Sequence, residues 1–179
     1  MILIGIGSNL AAPAFGSPED TVNAAMAQLP AIGIAVVLRS RWYRSEPVPP
    51  SDQPWYVNGV AAVETRLTPA ALLTALLLLE TRFGRRRSVP NAARTLDLDL
   101  IDYDGRQCAS ERLTLPHPRL HERRFVLVPL AEIAPDWRHS RFALTASELL
   151  RRLAPGHPVC ALDEPAPPRG DCGCAPTPI

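Results

Sequence analysis

Residues 94–105 read RTLDLDLIDYDG, and the alternation in this stretch decides how the chain must be built around it. In an extended backbone Leu96, Leu98 and Leu100 point to one side while Asp97 and Asp99 point to the other, because successive strand side chains alternate faces. The leucine side has to be packed. The opposite side then carries two carboxylates roughly 6.5–7 Å apart along the strand. Such a pair suits a hard divalent cation, although a solvated strand face can look the same. Asp104-Gly105 marks a turn at the end of the segment.

On the N-terminal side of this strand lies GRRRSVPNAA, residues 84–93, which has no apolar period and which the charge pattern marks as a mobile basic loop. Before it, Thr68-Pro69 opens a leucine-rich helix spanning about 69–83, closed by Gly84. Its apolar run is too short for the ~20 residues of a membrane span, so it reads as a buried helix. Further upstream, Met1–Gly7 forms a first strand. Ser17-Pro18-Glu19-Asp20 caps a helix that runs to about Leu29. Two strands follow, over 32–43 and 55–65, separated by the proline-rich loop SEPVPPSDQP, which is too long for a tight hairpin. Downstream, 119–133 has a helical pattern interrupted by Pro129, and Thr145-Ala146-Ser147-Glu148 is a capping box for a last short helix.

The order strand, helix, strand, strand, helix, strand implies an antiparallel four-stranded sheet with helices on one face, the ferredoxin-like βαββαβ arrangement of the α+β class. The chain of 179 residues with 46% hydrophobic content is expected to form one domain over 1–162, followed by a disordered Pro/Gly-rich tail over 163–179. A formal net charge of +1 argues against a general nucleic-acid binder. The opening MILIGIG reads as a strand and not as a signal peptide, so a cytoplasmic location is expected. Cys108, Cys160, Cys172 and Cys174 have neither a disulfide framework nor paired zinc spacing, and free thiols are the default.

Positive charge gathers around the acid pair. Arg85, Arg87 and Arg94 precede it, and Arg112, His117, Arg119, Arg123 and Arg124 follow. Carboxylates among so many cations point to a polyanion shared through magnesium, the usual arrangement in nucleotide chemistry. No Walker-type GxxxxGK[ST] is present, and Gly5-Ile6-Gly7-Ser8-Asn9-Leu10 lacks the third glycine of a dinucleotide fingerprint. Phosphates would therefore be held by side chains, a task that suits arginine's planar fork.

Four stretches taken together, IGIGSNL, SEPVPPSDQPWYVNGV, RTLDLDLIDYDG and LTLPHPRLHERRFVLVPLAEIAP, strongly resemble the 6-hydroxymethyl-7,8-dihydropterin pyrophosphokinase family in order and spacing from about Ile2 to Trp137. The resemblance implies a ferredoxin-like α/β/α sandwich with flanking helices. It also implies transfer of diphosphate from ATP to a dihydropterin hydroxymethyl group, with release of AMP and two Mg2+ ions held by Asp97 and Asp99. Arg85 and Arg94 would join these aspartates in catalysis. The pterin would lie between Tyr56 and Phe125, read by Asn58, with Ser45, Glu46 and Val48 at backbone-contact positions. ATP would be met by Glu80, Arg85, Arg87, Arg94, Leu100, Arg112, Thr114, His117 and Arg123. The basic loop at 84–93 would close as a lid. The partners would be these small molecules alone, with no nucleic acid and no membrane, and the protein would act as a monomer.

The chain departs from this pattern in places. Leu77 stands where some relatives have a nucleotide-contacting glutamine, Glu46 replaces a proline, and no tryptophan occurs near Asn91. Two other readings remain at this level: a magnesium-dependent nucleotidyltransferase or phosphohydrolase using the same acid pair, and a non-catalytic ferredoxin-like module binding RNA on its sheet. The second expects basic and aromatic residues in the RNP pattern on the central strands, which these strands lack.

Overall fold

The computed structural model describes residues 1–85, 92–154, 156 and 158–163. The first strand, β1 (Ile2–Ser8), lies at the centre of a wholly antiparallel sheet. It is followed by α1 (Pro18–Gln28), which starts at a capping box in which the Ser17 hydroxyl accepts from the Asp20 amide and the Asp20 carboxylate accepts from the Ser17 amide. Then come β2 (Ile34–Arg39), β3 (Tyr43–Ser45), β4 (Tyr56–Thr65), α2 (Pro69–Arg82) and β5 (Asp97–Tyr103). The order across the sheet is β5-β1-β4, with β2 and β3 successive along the far side of β4 and β8 (Val159–Ala161) added beyond β3. With β2 and β3 taken as one bent strand, this is the ferredoxin-like topology expected from the element order.

The strand expected over 32–43 is divided. Residues Pro30–Ile32 form a 3-10 turn ending at Gly33, whose φ of 79° suits glycine. The ladder then breaks at Ser40, where the side chain replaces a backbone partner: its hydroxyl accepts from the Val60 amide at 3.0 Å and donates to the Arg41 carbonyl at 2.7 Å. The helix expected over 119–133 is likewise two pieces, a 3-10 turn at Leu120–Glu122 and α3 (Arg124–Ile133), separated by the extended Arg123. Pro129 does not interrupt α3, which continues through it. A short hairpin, β6 (Cys108–Ala109) with β7 (Thr114–Leu115), and strand β8 have no counterpart in the sequence reading. The capping box at Thr145 does open α4 (Ala146–Arg152). The tail from 164 onward, with Cys172 and Cys174, lies outside the described residues, as does 86–91 within the basic loop.

Two apolar layers sandwich the sheet. Ile2, Ile4 and Ile6 of β1 and Leu98 and Leu100 of β5 pack with Val22 and Ala25 of α1 and Leu72, Leu76 and Leu79 of α2. The three α2 leucines are spaced i, i+4, i+7 on one face; each is 0–1% exposed and contributes about 1.5–3 kcal/mol on burial. Leu3, Val60, Ala62 and Ile101 face the other way, against Val126, Leu127 and Leu130 of α3 and Ala146 and Leu149 of α4. Helices therefore flank both faces, where the element order alone suggested one. They also cover the sheet surface that an RNA-binding module of this topology would need.

A bulge divides β5. Leu3 pairs with Asp102 and Ile4 with Leu100, so Ile101 is the extra residue. Ile101 and Asp102 consequently turn toward the same layer, and buried Asp102 accepts from Trp137 Nε1 at 2.7 Å. Residues on either side of the bulge keep their own alternation, which leaves Asp97 and Asp99 opposite the leucine core.

Candidate active site

β1 has glycine at its second-layer positions near the acid pair. A Cβ on Gly5 would stand 3.2 Å from Ile101 Cδ1 and 3.8 Å from Asp99 Cβ. One on Gly7 would stand 2.9 Å from Asn58 Oδ1 and 3.8 Å from Asp97 Cβ. The bare backbone of β1 thus forms a floor between the carboxylates of β5 and the amide of β4. Walls rise on each side, and the resulting cleft, an open space of about 930 Å3, is lined by Ser45, Glu46, Val48, Gln53, Tyr56, Asn58, Arg94, Asp97, Arg119, Arg123 and Phe125, among others. A narrower hollow beneath it is lined by Gly5, Gly7, Asp97, Asp99, His117 and Phe125.

Three arginines hold the acid pair. Arg85 Nη1 donates to Asp97 Oδ1 and, at 3.1 Å, to the Leu96 carbonyl. Arg94 Nη1 donates to Asp97 Oδ2 at 2.7 Å, and Arg123 Nη1 reaches Asp99 Oδ2 at 3.5 Å. Burial and the neighbouring Asp97 charge push Asp99 up to about 6, against the opposing pull of Arg123. Burial is the larger cause and the Asp97 charge the next, although 41% of the Asp99 side chain is still open to water. A divalent cation would relieve the repulsion.

The donor set fits magnesium in its usual manner. Among the described residues no cluster of three or more His, Cys, Asp or Glu could close around an ion. Two hard carboxylates facing a solvent-open cleft leave the remaining positions to water and phosphate oxygens, as magnesium prefers.

Glu80 is 2% exposed, so it is no surface acid. Its Oε1 accepts from the Leu98 amide at 2.8 Å and from Arg85 Nη1 at 2.7 Å, tying the end of α2 to the start of β5 and fixing Arg85 beside Asp97. Replacing Glu80 by alanine is expected to cost on the order of 3 kcal/mol, since it leaves a buried amide and a half-buried guanidinium without this acceptor. Thermal unfolding should then fall by about 6–12 °C. A change within 1 °C in a melting experiment would refute that structural role.

His117 is half-buried, and its Nδ1 accepts from the Arg119 amide at 3.2 Å, which leaves the proton on Nε2. Burial, with Arg123 and Arg119 nearby, lowers it to about 4. It is therefore neutral at pH 7 and offers an N–H donor. As pH falls below 6.5 the unfolded chain takes up a proton that the native His117 refuses until about 4. The wild-type protein should accordingly lose stability relative to His117→Asn between pH 6.5 and 4, by on the order of 1–2 kcal/mol once solvent screening is allowed for. Denaturant titrations at several pH values would measure this, and a pH-independent difference between the two proteins would contradict it.

On the opposite side of the cleft, Tyr56 opens β4 and Phe125 lies in the first turn of α3, each with a guanidinium over its ring: Arg94 at 5.6 Å and Arg123 at 5.5 Å. Asn58 Nδ2 donates to the buried Ser45 Oγ at 2.8 Å, which fixes the amide plane and keeps Oδ1 above Gly7. The cleft has two ends, one aromatic with a fixed amide and one carrying acids and arginines. It can grip a flat heterocycle at the first and a metal-bound polyphosphate at the second.

Most expected site residues converge here; some do not. Leu100 is 3% exposed within the leucine core, so its side chain faces away from the cleft. Arg112 is exposed between β6 and β7, and Thr114 lies on β7; neither lines the two hollows. Arg87 and most of the expected lid lie outside the described residues. Sequence reasoning missed Gly5 and Gly7, although their alternation with Ile4 and Ile6 was the available signal. It also passed over Gln53, which lines the cleft and accepts from the buried Asn9 Nδ2 at 3.2 Å, a contact across the fold.

Residues 3–135 match the family model described as 7,8-dihydro-6-hydroxymethylpterin-pyrophosphokinase (HPPK). The chain belongs to this family. Among its relatives, a protein of Synechocystis sp. named 2-amino-4-hydroxy-6-hydroxymethyldihydropteridine pyrophosphokinase is 44% identical over 152 residues, covering 84% of this chain and 75% of the relative. A protein of the same name from Methylorubrum extorquens is 44% identical over 134 residues, covering 74% of this chain and 82% of the relative. The Schizosaccharomyces pombe folic acid synthesis protein fol1 is 36% identical over 151 residues, which are 84% of this chain but 20% of that longer protein. The HPPK match contains the whole glycine floor, the acid pair and both aromatic walls.

Proposed function

We propose that this protein is an ATP-dependent pyrophosphokinase of folate biosynthesis, moving the terminal diphosphate of ATP to the hydroxymethyl group of 6-hydroxymethyl-7,8-dihydropterin and releasing AMP and the pterin diphosphate. The observation that carries this reading is one cleft joining the Tyr56–Asn58–Phe125 end to the Asp97–Asp99 end across a glycine floor. Tyr56 and Phe125 would face the two sides of the pterin ring, each stacking contact being worth about 0.5–1.5 kcal/mol beyond area burial. Asn58, oriented by Ser45, would read the ring's amide edge, with Glu46 and Val48 at its rim.

At the other end Asp97 and Asp99 would hold two magnesium ions, which supply charge neutralisation and a template for the phosphate chain when bound. Arg85, Arg94 and Arg123, now satisfied by the carboxylates, would turn donors toward the phosphates, and neutral His117 would add its Nε2–H. We assign Arg87, Arg112, Thr114 and the backbone at Leu100 to the outer part of the ATP site, and Glu80 to the support of Arg85. The hydroxymethyl oxygen forms a bond to the β-phosphorus as the bond from that phosphorus to the bridging oxygen breaks, so that AMP leaves with the bridging oxygen and the hydroxyl proton is released to water. Because such transfer passes through a loose transition state, positioning and charge complementarity suffice without a protein nucleophile.

No described helix is long and apolar enough to cross a membrane. We propose that a monomer of the 1–162 unit acts in the cytoplasm on these small molecules, without nucleic acid, and that 163–179 is a tail outside it. Incubation with ATP, magnesium and 6-hydroxymethyl-7,8-dihydropterin, followed by phosphorus NMR, should yield AMP and pterin diphosphate in equal amounts. ADP, or free pyrophosphate with unmodified pterin, would contradict the assignment.

A further inference from the structure

Helix α3 reads RFVLVPLAEI, and its only polar side chains are those of Arg124 and Glu132. Among the described residues, Glu132 alone gives this helix a side-chain hydrogen bond or ion pair. Its Oε2 accepts from the Tyr43 hydroxyl at 2.7 Å, and both its oxygens accept from the Arg41 amide at 3.3 Å. Arg41 Nε also donates to Oε1 at 3.3 Å. Tyr43 is 5% exposed, and burial, followed by the bond to Glu132, pushes its phenol up to about 12, so that it stays an O–H donor at neutral pH.

This tie lies in register with the aromatic end of the cleft. Tyr43 and Ser45 project to one face of β3, Tyr43 paired across from Asn58 and Ser45 from Tyr56. On α3, Phe125 precedes Glu132 by seven residues, about two turns, and so lies on the same side of the helix. The helix therefore meets the β3–β4 surface at two points, with Phe125 at the cleft and Glu132 at Tyr43.

We propose that Glu132 is a positioning residue for the pterin: its tie to Tyr43 and Arg41 fixes the rotation and register of α3 on the sheet, and so holds the Phe125 ring at stacking distance from the substrate. This rests on the function proposed above. The physical reason is that the rest of the contact between α3 and the sheet is apolar. Packing of Val126, Leu127 and Leu130 keeps the helix on the sheet but is non-directional, whereas hydrogen bonds to a carboxylate set both distance and angle. Pro129 adds to the need, since it has no N–H to give the Phe125 carbonyl and the turn bearing the ring lacks that helix bond. A side-chain tip lies roughly 5–6 Å from the helix axis, so a rotation of about 10° moves the ring by about 1 Å. A gap of that size forfeits roughly a quarter to a half of the dispersion attraction across it.

The test is calorimetry on the full chain, measuring affinity for 6-hydroxymethyl-7,8-dihydropterin with magnesium and α,β-methylene ATP present throughout. Glu132→Ala should bind the pterin about tenfold more weakly than wild type, the loss of about one stacking contact. Its affinity for the magnesium–nucleotide alone should change less than about twofold, a separation that general destabilisation would not produce, because loss of folded protein weakens both ligands together. In a Phe125→Ala background, Glu132→Ala should cost nothing further, since without the ring the tie has nothing left to place. Should Glu132→Ala fail to fold, Tyr43→Phe removes only the hydroxyl and keeps the test decisive. It should weaken pterin binding by about three- to fivefold, again leaving the nucleotide unchanged and again without effect beside Phe125→Ala. Unchanged pterin affinity, equal losses for the two ligands, or additive losses beside Phe125→Ala overturns the positioning role. A wild type that binds no pterin at all overturns the function beneath it.

Discussion

Replacing Asp97 by alanine should reduce turnover at least about a thousandfold, with Asp99→Ala close behind, while the circular dichroism spectrum stays native. Asp97 is where the cleft's charges meet: Arg85 and Arg94 both engage it, and Asp99 is raised by its presence. Its removal leaves two guanidinium groups facing each other and takes away half of the acidic anchor. The apolar core is not involved, since Leu96, Leu98 and Leu100 lie on the other side of the strand. Stability should consequently change by less than ~2 kcal/mol, far below what opening the core would cost. Steady-state kinetics with equilibrium unfolding separates the two effects. An Asp97→Ala protein that turns over within tenfold of wild type would show that the acid pair serves only to order the arginines.

Asn58→Leu should have the second largest effect, a loss of about a hundredfold or more in kcat/KM for the pterin, with little change in KM for ATP. Leucine keeps the volume beside Gly7 but removes the amide, so the substrate's polar edge enters the cleft without its partners. Ser45, 2% exposed, also loses the donor that Asn58 Nδ2 supplies. The asymmetry between substrates is the informative part. Equal losses for ATP and pterin would place Asn58 in general support of the sheet instead of at the ring.

The fold was legible in the sequence wherever a local pattern had one physical solution. Alternating LDLDL could bury only its leucines, Thr68-Pro69 could start only a helix, and the Ser17 and Thr145 caps occur as their chemistry requires. Illegible features depended on partners distant in the chain. Ser40 ends β2 because its hydroxyl meets Val60, and β8 exists because the edge of β3 accepts it. The bulge at Ile101, which sends Asp102 to Trp137, leaves no trace in the alternation of LDLIDY. Pro129 misled in the other direction: its missing donor forbids one helix bond, and the packing of Val126, Leu127 and Leu130 carries α3 through it.

The candidate site divides along the same line. The acid pair and the surrounding arginines could be read from charge and period alone. Tyr56, Asn58 and Phe125, ordinary as single residues, became site candidates only through the family resemblance, and the fold brings them to one cleft. Glu80, placed at the ATP site by the resemblance, is buried where the last turn of α2 meets the start of β5 and accepts from the Leu98 amide, a contact that spacing does not encode. Gly5 and Gly7 were visible as glycines, but that their missing side chains form a floor became clear only with Asp97 and Asn58 on either side.

The central claim is that Asp97 and Asp99 grip divalent cations that bridge to the nucleotide's phosphates. Electron–nuclear double resonance on the manganese-substituted complex with α,β-methylene ATP, using protein labelled with 13C at aspartate carboxylates, tests it most directly. The account predicts coupling of the metal to both phosphorus and carboxylate carbon, with the carbon coupling lost in the Asp97→Ala/Asp99→Ala double variant. Phosphorus coupling without any carboxylate coupling in the wild-type protein would contradict it.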